Sequence, residues 1–121
     1  MLHLAKRLEA AVRTLVGDGP IKQRLGQAYA RYLGDLPLPD LPDSLRDRFA
    51  ELHDSMHKAP PIGKENSVRV TVRKMSFAEA AAHADAIVDL YAEILRIGDR
   101  VEPLKVVQNE EKPPRYLTGR S

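Results

Sequence analysis

Three clusters of proline and glycine cut this chain into helix-length pieces: Gly17-Asp18-Gly19-Pro20, Leu36-Pro37-Leu38-Pro39-Asp40-Leu41-Pro42, and Pro60-Pro61-Ile62-Gly63. Glycine tolerates the left-handed backbone that closes a helix, and proline suits the first position of the next one. Three prolines between 37 and 42 remove amide donors and push the residues before them to extended backbone, so no helix crosses that stretch. We read it as a stiff linker whose leucines cover the end of the body, in preference to a proline-rich ligand.

Between the breaks the apolar spacing is helical. Leu4, Leu8, Ala11, Val12 and Leu15 predict a helix over about 2–16. A second runs from about Pro20 to Gly34, with Ile21, Leu25, Ala28 or Tyr29, Tyr32 and Leu33 inward. Gly26 inside it is expected to permit a close helix crossing. The third spans about 41–57, capped by Asp40 or Asp43, with Leu45, Phe49, Leu52 and Met56 as its stripe.

Ser76-Phe77-Ala78-Glu79 is a capping box and opens the last main helix. Its broad inward face is expected to hold Phe77, Ala80, Ala81, Ala84, Ile87, Val88, Tyr91, Ile94 and Leu95, with Gly98 as its end. The segment 67–75 reads two ways. Val68, Val70 and Val72 alternate as in a strand, whereas Val68, Val72 and Met75 fit a helix capped by Asn66 or Ser67. A lone strand leaves its amides without a ladder, so a short helix is favoured.

The fold expected is all-α: an antiparallel bundle of four main helices with the short 67–75 element. Residues 1–98 form the bundle domain and 99–121 an extended or disordered tail, with Val101, Pro103, Leu104, Val106 and Val107 docking as one extended segment.

Charge alternates with the helices. Residues 1–34 carry six bases and two acids, 35–57 two and six, 58–75 five and one, and 76–95 none and four. Neutralisation should set helices 1 and 2 beside helix 3, and the basic 64–74 segment beside helix 3 or the last helix. Such exposed pairs contribute only about 0–1 kcal/mol each, so they select neighbours more than they stabilise.

With no cysteine, disulfides, thiolate nucleophiles and cysteine–zinc sites are excluded. The first residues break their apolar run with Lys6, Arg7 and Glu9, and no stretch approaches the roughly 20 apolar residues of a membrane span. We expect a cytoplasmic protein with no membrane partner.

His53 and His57 stand four apart, a spacing that lets two imidazoles share a metal, and His83 with Asp85 or Asp89 would have to complete the shell. The preferred reading places His57 and Lys58 in a last turn, where cations offset the helix dipole, so no metal or other cofactor is expected. Lys64, Arg69, Arg73 and Lys74 form a basic segment suited to phosphate. Neutralisation by acidic helices accounts for them without a ligand, and the one nearby ring, Phe77, is expected in the core. There is no glycine-rich phosphate loop and no catalytic triad spacing, so no enzymatic activity is expected.

The function expected is therefore a non-enzymatic interaction or regulatory module working through protein–protein contacts. Self-association is expected through 68–72 or the alanine-rich face of the last helix. The alternative is a nucleic-acid-associated protein using Lys64, Arg69, Arg73, Lys74 and the tail.

Overall fold

The computed structural model describes the backbone of residues 2–110 and the side chains of residues 3–98. It contains α1 (Leu2–Leu15), α2 (Ile21–Ala28), α3 (Asp43–Met56), α4 (Ser67–Lys74) and α5 (Phe77–Glu110). A π-helical turn, Tyr29–Leu33, continues α2, and a 3-10 turn, Leu38–Asp40, lies in the proline-rich linker. Among the described residues the nearest thing to a strand is the single bridge between Ile62 and Glu65. The fold is all-α.

Local chemistry explains most of the boundaries. Gly19 and Gly63 carry positive φ (100° and 59°), the backbone that turns at those breaks require. Arg24 Nε donates to the Gly19 carbonyl at 2.7 Å, and its guanidinium also reaches the Leu15 carbonyl at the end of α1. Asn66 Oδ1 accepts the Arg69 amide at 2.9 Å, so 67–74 is a capped helix and its valine alternation is overridden. The capping box closes in both directions: the Glu79 amide donates to Ser76 Oγ at 3.0 Å, and the Ser76 amide to the Glu79 carboxylate at 2.7 Å.

Three local expectations are corrected. Neither Asp40 nor Asp43 caps α3: Pro42 holds that place with no side-chain bond, and Asp43 pairs with Arg46 at 2.8 Å. Gly98 does not end α5, since it is not among the positive-φ glycines that a left-handed stop requires. The helix continues to Glu110, so 99–110 is helical and not extended; residues 111–121 of the expected tail lie outside the described residues.

The core is organised around α5, which packs against α1, α2 and α3, while α4 lies across α2 and α3. Leu8, Ala11, Leu25, Tyr29, Leu33, Leu45, Phe49, Met56, Ile87 and Ile94 are buried there. A large aliphatic side chain contributes roughly 1.5–3 kcal/mol when fully buried, and these come from all four main helices. Ala59 ties the loop after α3 to α4, its amide donating to Thr71 Oγ1 at 2.9 Å and its carbonyl accepting from Ser67 Oγ at 2.6 Å.

Candidate functional site

The histidine pair is held by packing. The rings of His53 and His57 stack at 4.2 Å, and His57 Nε2 lies 3.1 Å from the Tyr29 hydroxyl. Burial, reinforced by the neighbouring His53, pushes His57 below its ordinary 6.5, with Asp54 opposing the shift. Burial and the Asp54 charge push Tyr29 up to about 12. A neutral imidazole nitrogen facing a protonated phenol is the state these shifts favour. Among the described residues no cluster of three His, Asp or Glu side chains is placed to hold a metal ion.

The basic residues of 64–74 are divided by the helix they sit on. Arg69 and Arg73 line a groove of about 770 Å³ between α2 and α4, together with Lys22 and Arg31. Lys74 lines a different groove of about 580 Å³, beside Lys58, Glu79 and His83. Lys64 is exposed in the turn between Ile62 and Glu65.

The packing of α4 against α3 fits the charge-based expectation, but its packing against α2 does not, because both elements are basic. Arg73 pairs with Glu65 at 2.9 Å, while Arg31 and Arg69 make no ion pair among the described residues. Arg7 of α1 pairs with Asp35 in the turn that follows the π-helical residues. Apolar fit decided this arrangement, and charge was left over.

A second surface runs along α5. Phe77, Val88 and Leu95, all expected inward, are 68%, 41% and 45% exposed. At about 100° per residue they fall within roughly 20° of one another, on one flank of the helix. Ala81 is exposed on the same flank, and Tyr91 is half-buried. The buried line is Ala80, Ala84, Ile87, Leu90 and Ile94, of which Leu90 was not anticipated. The apolar arc of α5 is wider than its neighbours cover, so one edge reaches solvent. At its start, Lys22 Nζ sits 5.5 Å from the Phe77 ring centre and donates to the Arg73 carbonyl at 2.9 Å.

No protein family, curated protein or solved structure matches the chain. No described helix is long and apolar enough to cross a membrane.

The exposed edge had a signal in the sequence. Phe77, Ala81, Ala84, Val88, Tyr91 and Leu95 are spaced 4, 3, 4, 3 and 4, the alternation of a helix–helix seam. The α2–α4 groove had half of one: Arg69 and Arg73 stand in the basic 64–74 segment, but Lys22 and Arg31 join them only through which helices become neighbours.

Proposed function

We propose that the chain is a non-enzymatic interaction module that self-associates through the α5 flank. The observation that carries this reading is the heptad-spaced seam from Phe77 to Leu95, whose large side chains Phe77, Val88 and Leu95 are solvent-exposed.

A second copy suits this surface. Set antiparallel across a two-fold axis near residue 86, the flank pairs Phe77 with Leu95 and Ala81 with Tyr91 and sets Val88 beside the axis, while Ala84 stays buried in its own chain. The Ala81–Tyr91 pair couples a small side chain with a larger one, as interdigitated packing requires. The other route considered, through 68–72, is less apt because Val70 is fully buried inside its own chain. The seam is about 27 Å long at 1.5 Å per residue, which suggests a small interface and a dissociation constant on the order of micromolar.

Cross-linking tests the geometry. The chain has no cysteine, so Val88→Cys introduces a single thiol. A short bismaleimide should join two such chains, while Val16→Cys, at a position 75% exposed just after α1 and not on α5, should remain largely uncoupled. Equal coupling at both positions would refute the reading.

A further inference from the structure

We infer that the groove between α2 and α4 binds the phosphate backbone of a nucleic acid. The inference is separable from self-association: Arg31, Arg69 and Arg73 lie off the α5 flank, although Lys22 also sits against Phe77 at the start of that flank.

Four cations line the groove: Lys22 and Arg31 from the α2 side, Arg69 and Arg73 from α4. Glu65 offsets one of them through Arg73, leaving an excess of about three positive charges. Like charges gathered on two packed helices repel each other, and among the described residues no carboxylate pairs with Arg31 or Arg69. An anion supplied from outside would relieve both.

Spacing selects the kind of anion. Lys22 and Arg31 lie nine residues apart along one continuous helical run, about 13 Å at 1.5 Å per residue. Cations spread over that length do not converge on a single small ion; they track a polymer that carries charge at intervals. Three of the four cations are arginine, and the guanidinium fork matches two phosphate oxygens at once. Contacts of this kind fix position on the backbone and do not read bases, so binding is expected to be independent of sequence.

The test is fluorescence anisotropy of the full chain with a labelled mixed-sequence oligonucleotide, single-stranded and duplex, at 50 and 200 mM salt. About three neutralised phosphates predict a roughly 20- to 40-fold loss of affinity across that range. Arg31→Glu with Arg69→Glu should weaken binding at 50 mM by at least about tenfold. The control Lys6→Glu with Arg13→Glu makes the same change in net charge on α1 and should cost far less; circular dichroism confirms that both variants fold. Absence of binding at 50 mM, or equal losses in both double variants, would overturn the inference. So would tighter binding of polyglutamate than of the oligonucleotide at matched charge, which would point to an acidic protein segment.

Discussion

The Tyr29 hydroxyl stands 3.1 Å from Nε2 of His57, joining the π-turn after α2 to the end of α3. This contact makes stability depend on pH at both ends of the range. His57 is pushed below its ordinary 6.5, so as pH falls through that value the unfolded chain takes up a proton that the folded chain resists. Stability then falls with pH. Tyr29 is raised from 10.0 to about 12, so above pH 10 the unfolded chain loses a proton that the folded chain keeps, and stability falls as pH rises. Thermal melts should show both declines. His57→Gln should flatten the acid limb and Tyr29→Phe the alkaline one, the latter at a cost of about 0.5–1.5 kcal/mol for the lost hydrogen bond. An unchanged alkaline limb in Tyr29→Phe would contradict the assignment.

Neighbouring residues of α5 should respond very differently to truncation. Ile87 is fully buried and Val88 is 41% exposed. Ile87→Ala should lose about 2–5 kcal/mol in urea denaturation, and Val88→Ala within about 0.5 kcal/mol of the wild type in dilute solution. Similar losses at both would mean that α5 is rotated from the register described.

Gly26 is not required by the helix crossing it occupies. A methyl group added there would lie 3.9 Å from the Val72 methyls, an ordinary contact, in right-handed helical backbone. Gly26→Ala should therefore stabilise the chain by about 0.5–1 kcal/mol, raising its thermal midpoint. Destabilisation would show that α2 and α4 approach more closely than that.

Local signals in the sequence were the legible ones. The Ser76–Glu79 box is a reciprocal hydrogen bond between residues three apart, and the α3 stripe of Leu45, Phe49, Leu52 and Met56 is buried as its spacing predicts. The 67–75 element needed one further fact, the Asn66 cap, to outweigh its β-branched pattern. What stayed hidden depends on which elements meet. Phe77 belongs to an apolar arc too wide for α5's neighbours to cover, and spacing alone does not say which edge stays outside. Arg69 and Arg73, four apart, share a helix face and line one groove, while Lys74, one step of about 100° further, lines another; spacing alone does not say which helix each face meets. The charge blocks misled for the same reason: a surface ion pair contributes too little to outweigh core fit, so basic α2 came to lie beside basic α4.

Self-association through α5 is tested most directly by light scattering of the purified chain over a concentration series, at roughly 5–500 µM to span a micromolar dissociation constant. The mass should rise from one chain toward two, and a Leu95→Lys variant should stay at one chain throughout while keeping its helical content. A wild-type mass of one chain at the highest concentration, or a Leu95→Lys variant that dimerises as well as the wild type, would contradict it.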